Sequence, residues 1–190
     1  MKILGGQLKG RNFYMPFGIR PTQNLLKKAV FDILGHDVTG LSFLDLYAGS
    51  GAMGLEAISR GASVVVMIER DPKCVSVIEQ NFKLLATESF HTNHVAINSD
   101  AFVAIKQFAR QGKKFDIIFL DPPFDQELAK KTLKTLITHD ILCPHCFIIT
   151  QSDKRDTTAE LGGRFKTMTQ RKYGTSLLTI YEGQEVDKNI

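Results

Sequence analysis

Apolar residues recur along this chain at two spacings. Leu25, Leu26, Ala29, Val30, Ile33 and Leu34 follow one another at helical intervals, which puts them on one face of a helix. Pro21 and Thr22 suit a helix start, with Thr22 as N-cap, and Gly35 stands where a C-cap glycine belongs. The pattern predicts an amphipathic helix over 22–34. Its apolar face docks on the main body and leaves Lys27 and Lys28 outside.

From Leu41 onward the spacing alternates. Residues 41–47, 63–69, 95–98, 115–121 and 146–150 read as strands, and the β-branched run at 63–69 has the density of a strand buried on both faces. Between them lie helical segments: one after a Gly-rich turn through Arg60, one from Pro72 to about Leu85, one over 101–111 and one over 126–137. Such alternation makes a parallel sheet with helices on both faces. At the end, 165–172 and 176–181 flank Tyr173-Gly174-Thr175 and read as a β-hairpin that adds an antiparallel strand at one edge. The first 20 residues, Gly-rich and basic, read as a short extended arm or hairpin. Phe13, Tyr14 and Phe17, interleaved there with basic residues, suit contact with nucleic-acid bases.

Charge changes this picture more than composition does. The 190 residues carry a net charge of only +4, yet the segment up to Phe31 holds Lys2, Lys9, Arg11, Arg20, Lys27 and Lys28 and no acid. A second basic group lies at Lys154, Arg155, Arg164, Lys166, Arg171 and Lys172. Clusters of this kind suit a phosphate backbone, and equally a solvated surface. No apolar run approaches the length of a membrane helix, and the start lacks the features of a signal peptide. Three cysteines, an odd and sparse count, fit a reducing compartment. A cytoplasmic protein is the expectation.

Ligand sites in alternating α/β chains lie at the carboxyl ends of the strands, and two such ends carry chemistry. The first reads Asp45-Leu46-Tyr47-Ala48-Gly49-Ser50-Gly51-Ala52-Met53-Gly54. Gly49 and Gly51 allow a tight turn and a close approach of backbone to ligand. Glu69, at the end of the next strand, stands where an acid grips ribose hydroxyls. The literal pattern is the dinucleotide fingerprint, so an NAD enzyme is a rival reading, as is a plain structural turn. Asp45 favours S-adenosylmethionine, because an acid there attracts a cationic amino-acid group and is unwelcome beside a pyrophosphate. The second end is Asp121-Pro122-Pro123-Phe124. The prolines stiffen the backbone and donate no N–H. The Asp121 carboxylate and the Pro122 carbonyl form two fixed acceptors, and Phe124 follows as a ring to stack on. Together they form a receptor for a planar group bearing an NH₂.

These motifs, with Gly5-Gly6-x-x-x-Gly10-Arg11, Arg20-Pro21-Thr22, Glu69-Arg70-Asp71, Asn98-Ser99-Asp100 and Tyr173-Gly174 in order, resemble the bacterial small-subunit (16S) rRNA guanine-N2 methyltransferases of the RsmD type. The resemblance spans Ile3 to Tyr181. It implies a class I, Rossmann-like methyltransferase fold: a mostly parallel seven-stranded sheet with a C-terminal antiparallel hairpin and a short N-terminal basic extension. A single domain over 1–190 is expected, with arm and helix over 1–35 and the Rossmann-like core over 41–182. By resemblance, Pro21 and Thr22 line the cofactor pocket beside Asp45, Ala48, Gly49, Ser50 and Gly51. Glu69 meets the ribose, Arg70 beside it belongs to the cofactor-binding set, and Asp100 with Ala101 flanks the adenine. Lys9, Arg11 and Arg20 meet rRNA phosphates. Guanine as the acceptor base is likewise implied by the resemblance alone. The substrate is small-subunit rRNA, either naked or in an assembled particle, and the protein is expected to be a monomer. One place departs from the family: where its members carry an Asp and then an Arg after Arg-Pro-Thr, this chain has Asn24 and Lys27.

Three rivals stay open at this stage: another amine methyltransferase (of adenine or cytosine in DNA or RNA, or of protein glutamine), an NAD oxidoreductase, and a non-catalytic rRNA-binding protein. Cys143, Cys146, His91 and His94 have loose metal spacing, but no metal is expected. Phe82, Phe90, Phe102 and Phe108 read as core.

Overall fold

The apolar runs become strands, and a helix follows each of the first four. The computed structural model describes residues 1–18, 24–86, 93–123, 126–155, 161, 163 and 165–184. These fall into two units, Met1–Ala101 and Phe102–Ile190. The described strands number seven and belong to one mixed sheet.

The first unit holds α1 (Asn24–Ile33), β1 (Ser42–Asp45), α2 (Ala52–Ser59), β2 (Val64–Glu69), α3 (Pro72–Leu85) and β3 (His94–Asn98). β1 pairs with β2, and β2 with β3, both parallel. Phe43, Leu44, Val65, Met67, Ile68, Leu55 and Ile78 are excluded from solvent and form its core. Asp71 caps α3 by accepting from Lys73 N at 2.9 Å, and Pro72 fills the first helical position.

The second unit holds β4 (Phe115–Leu120), α5 (Gln126–Thr138), β5 (Leu142–Asp153), β6 (Phe165–Tyr173) and β7 (Ser176–Gly183). It follows α4 (Ala101–Arg110), whose first residue closes the first unit. β4 pairs parallel with β5, while β7 runs antiparallel to β5 and to β6. β6 therefore takes the edge, as the hairpin pattern predicts. β5 extends well beyond the predicted 146–150. Its polar end, Gln151 to Asp153, pairs through backbone with Leu178, Leu177 and Ser176. Its start absorbs Pro144 where the register with β4 shifts, and such irregularities are where a strand tolerates proline.

Two expectations are corrected in the first unit. Lys27 is fully buried, with Nζ 3.3 Å from Glu56 Oε2 and 3.0 Å from the Lys2 carbonyl. Glu56, also fully buried, takes two contacts from Arg60 at 3.0 Å through its other oxygen. α1 thus turns Leu26, Lys27, Val30 and Phe31 inward and leaves Leu25 61% exposed. Helical periodicity assigns a lysine outward, but a buried carboxylate on the facing helix reverses that. Burial also pulls the Lys27 ammonium below its ordinary pKa, against the opposing pull of Glu56. Phe13, expected on the nucleic-acid surface, is 4% exposed, with Lys27 Nζ 5.5 Å from its ring centre. Tyr14 and Phe17 remain exposed.

The arm is a docked hairpin. Ile3 N donates to Arg11 O, Gly10 N to Ile3 O and Phe13 N to Met1 O, around the bridge between Lys2 and Asn12. It rests on the C-terminal end of α2: Leu4 N donates to Glu56 Oε2, Gln7 N to Ser59 O and Leu8 N to Ser59 Oγ. Gly6 makes this seating possible. Its φ is +73°, and a Cβ there would lie 1.8 Å from the Ser59 carbonyl oxygen. Gly10, at φ +86°, has nothing within 4 Å of such a Cβ. Both alanine substitutions carry the left-handed backbone cost of about 1–2 kcal/mol. Gly6→Ala is expected to lower Tm clearly more than Gly10→Ala, a difference that thermal melting reads directly; equal losses would mean that the arm is not seated on Ser59.

Candidate active site

β1 ends at Asp45, which is 1% exposed. The chain then turns through Gly49 (φ 51°) and Gly51 (φ 75°), a left-handed conformation that side chains resist. Gly51 caps α2 without a side chain. The turn is fastened from β2. Glu69 at its end accepts from Gly49 N at 2.8 Å with one carboxylate oxygen and from Asp71 N at 2.9 Å with the other. Ala48 N adds a bond to Ile68 O at 3.0 Å. Each Glu69 oxygen still has lone-pair capacity, and the side chain is only half-buried. The acid expected to grip a ribose therefore also holds the glycine turn in shape.

β3 is tied to the same corner. Asn98 Nδ2 donates to the carbonyls of Glu69 (3.0 Å) and Arg70 (2.9 Å), and Ser99 N to Glu69 O (3.1 Å). This brings Asp100, which is exposed, and Ala101, which is buried at the start of α4, beyond the strand end near Glu69. Arg70 is exposed and enters these contacts through its carbonyl. Ala48 and Ser50 are buried within the turn. Asp45, Ala48, Gly49, Ser50, Gly51, Glu69, Arg70, Asp100 and Ala101 all belong to the carboxyl ends of β1, β2 and β3. Pro21 and Thr22 lie outside the described residues.

This donor set fits S-adenosylmethionine. A buried carboxylate at Asp45 suits a cationic amino-acid group, and the Glu69 carboxylate suits a pair of vicinal hydroxyls. A pyrophosphate entering the same turn would meet both negative charges, which disfavours a dinucleotide.

In the second unit, β4 is buried almost throughout and delivers Asp121 directly after Leu120. Asp121 is half-buried, Pro122 buried and Pro123 exposed. A buried strand followed by two residues with fixed φ makes a rigid mount for the carboxylate and the Pro122 carbonyl. Phe124 lies outside the described residues. Cys143 and Cys146 sit in β5 and Cys74 in α3 of the first unit; burial raises Cys143 and Cys74 each to a pKa of about 11, as neutral thiols.

Of the basic arm, Lys9 and Arg11 are exposed, and Arg11 Nη2 donates to Leu84 O at 2.9 Å at the end of α3. Arg20 lies outside the described residues. Sequence reasoning missed the residues that seat this arm: Glu56, Ser59 and Asn81. Asn81 is fully buried and clasps Tyr14, accepting from its N at 2.7 Å and donating to its O at 3.0 Å. A signal was present for Glu56, the one charged residue in an octet that is otherwise apolar except for Ser59.

The mixed sheet with a glycine turn after β1 is the Rossmann-like fold of S-adenosylmethionine-dependent methyltransferases. The solved structure of the Escherichia coli protein YhhF matches it with a TM-score of 0.87 and 28% identity, covering 98% of this chain and 99% of that one. The chain belongs to the family described as Conserved hypothetical protein 95, the RsmD family, whose profile matches residues 1–182. Ribosomal RNA small subunit methyltransferase D of Escherichia coli K12 is 30% identical over 184 residues, 96% of this chain and 89% of that protein. The Bacillus subtilis 168 protein YlbH is 31% identical over 185 residues, 96% of this chain and 98% of the relative. No described helix is long and apolar enough to cross a membrane.

Proposed function

We propose that this protein, acting as one methyltransferase domain in the cytoplasm, methylates the N2 amine of a guanine in small-subunit rRNA, with S-adenosylmethionine as donor. The observation that carries this reading is the rigid Asp121-Pro122-Pro123 mount after β4 in a chain of this family. S-adenosylmethionine, when bound, supplies an electrophilic methyl group on a sulfonium. The protein's residues do the rest. Asp45 and the 48–51 turn hold the amino-acid end, Glu69 holds the ribose with Arg70 beside it, and Asp100 and Ala101 flank the adenine, with Pro21 and Thr22 lining the pocket.

The lone pair of a base amine is delocalised into its ring, so the amine is a poor nucleophile. Hydrogen bonds from its two N–H groups to the Asp121 carboxylate and the Pro122 carbonyl localise that lone pair and stabilise positive charge as the new N–C bond forms. Pro123 fixes the turn, and Phe124 stacks on the base to orient it. The surplus proton leaves the nitrogen afterwards, to Asp121. A base within a helix must be flipped out to reach this mount. Lys9, Arg11 and Arg20 contact phosphates, and the enzyme works as a monomer on rRNA, naked or in a particle.

Calorimetry tests the cofactor half. The wild type is expected to bind S-adenosylmethionine and S-adenosylhomocysteine and not NADH. Glu69→Ala is expected to lose about 1.5–3 kcal/mol of that affinity through its charged hydrogen bonds. NADH binding instead would replace the methyltransferase reading with the oxidoreductase. For the acceptor, transfer to guanine N2 supports the reading, and transfer to adenine or cytosine overturns its guanine part.

A further inference from the structure

The C-terminal hairpin carries cations that none of these assignments use, and the register of the second unit places them. Leu120 pairs with Thr150, Thr150 with Thr179, and Thr179 with Gln170. The next row holds Gln151, Leu178 and Arg171, and the row after it Ser152, Leu177 and Lys172. Carrying β4 forward by the same two steps brings Asp121 and Pro122 to the level of these rows. Arg171 and Lys172 on β6 therefore stand at the height of the amine-acceptor mount, three strand spacings away. At roughly 4.8 Å per spacing this is about 14 Å.

The same end gathers further charge. Lys154 N donates to Thr175 O at 2.9 Å, which brings Lys154 and Arg155 against the hairpin turn. Lys154, Arg171 and Lys172 are all exposed. Among the described residues, two acids bear on this balance, one engaged by an arginine and one at the other end of the strand. Asp153 accepts from Arg155 at 2.8 and 3.0 Å, and Arg155 holds the Asp153 carboxyl down at a pKa of about 2. Glu182 stands opposite Lys166 at the far end of β6. The excess positive charge thus collects at the Asp121 end of the edge. The edge itself is a poor template for another strand, being rich in charged residues and broken by a register shift between Thr167 and Thr169.

We infer that this end of β6, with the turn beside it, is a second RNA-backbone contact, in which Arg171, Lys172 and Lys154 hold phosphates of nucleotides flanking the methylated base. The inference rests on the proposed rRNA reading. A base seated at Asp121 places its own strand within reach of this edge, and a backbone contact beside the base would help to keep it flipped out.

The test compares Arg171→Ala/Lys172→Ala with Lys166→Ala and the wild type, all full-length. Affinity for a small-subunit rRNA fragment is measured across a salt series, alongside methyl transfer and sedimentation. The double variant is expected to bind rRNA several-fold more weakly, with the salt slope shallower by about 1.4–1.8, the share of two phosphate contacts. KM for rRNA rises in step, kcat and cofactor affinity hold, and Lys166→Ala behaves as wild type. An unchanged affinity and slope, in a wild type that does methylate rRNA, overturns the inference and leaves the proposed function standing. A change in oligomeric state in the double variant overturns it too, and assigns the edge to a second copy of the chain. A wild type that neither binds nor methylates rRNA removes the proposed function and this inference with it.

Discussion

Asp121→Ala is expected to remove methyl transfer while cofactor binding survives. The carboxylate follows a strand that is buried almost throughout, and two prolines come after it, so the backbone that carries it is held before any base arrives. In the proposed reaction its work falls on the transition state: it would accept from an amine N–H, return the lone pair to nitrogen and offset the charge that grows there. Removing one such preorganised group costs a factor of about 10²–10³ in kcat. Cofactor affinity should hold, because the described residues assigned to the cofactor lie at or just beyond the carboxyl ends of β1, β2 and β3. Asp121→Asn keeps the shape and one acceptor but loses the charge, and an intermediate rate is expected. Single-turnover transfer with parallel calorimetry separates the two effects. Turnover comparable to wild type in Asp121→Ala would end the amine-acceptor assignment.

Glu56→Ala is expected to produce the largest loss of stability. Glu56 is the shared counter-ion of Lys27 and Arg60 and the acceptor for Leu4 N. Without it, a fully buried ammonium faces a guanidinium across an empty space. Breaking one side of a buried pair costs about 3–5 kcal/mol, a Tm drop on the order of 10 °C for a chain of this length. The arm should loosen as well, because Lys27 and Glu56 hold Lys2 and Leu4. Glu56→Gln retains an acceptor and is expected to lose less. Amide exchange at Leu4 and Leu8 reports arm seating separately from global melting. A Tm near wild type in Glu56→Ala would mean that Lys27 is not held by this carboxylate.

Much of this was legible in the residues. Strands such as Val64–Glu69 and Phe115–Leu120 declare themselves because a strand buried on both faces must be apolar throughout. α3 begins at Pro72 behind Asp71, a start signal with a direct physical cause. Lys27 was not legible, because its burial depends on an acid 29 positions away that periodicity does not see. Phe13 is covered by the same cluster, so the arm's aromatics divide into one core residue and two exposed ones. The polar end of β5 escaped because backbone pairing with β7 needs no apolar pattern. At the site, glycine spacing and the acid at Glu69 were readable from type and order. That Glu69 also fastens the turn through Gly49 N was not, since any residue but proline offers that N–H.

The most direct measurement is transfer of labelled methyl from S-adenosylmethionine to small-subunit rRNA taken from cells that lack this protein, set beside rRNA from cells that have it, each offered naked and in particles. Labelled N2-methylguanosine in the rRNA from lacking cells, and none in rRNA already modified, is the result expected. Equal labelling of both, or label on any other nucleoside, would contradict the assignment of this protein to guanine N2 of small-subunit rRNA.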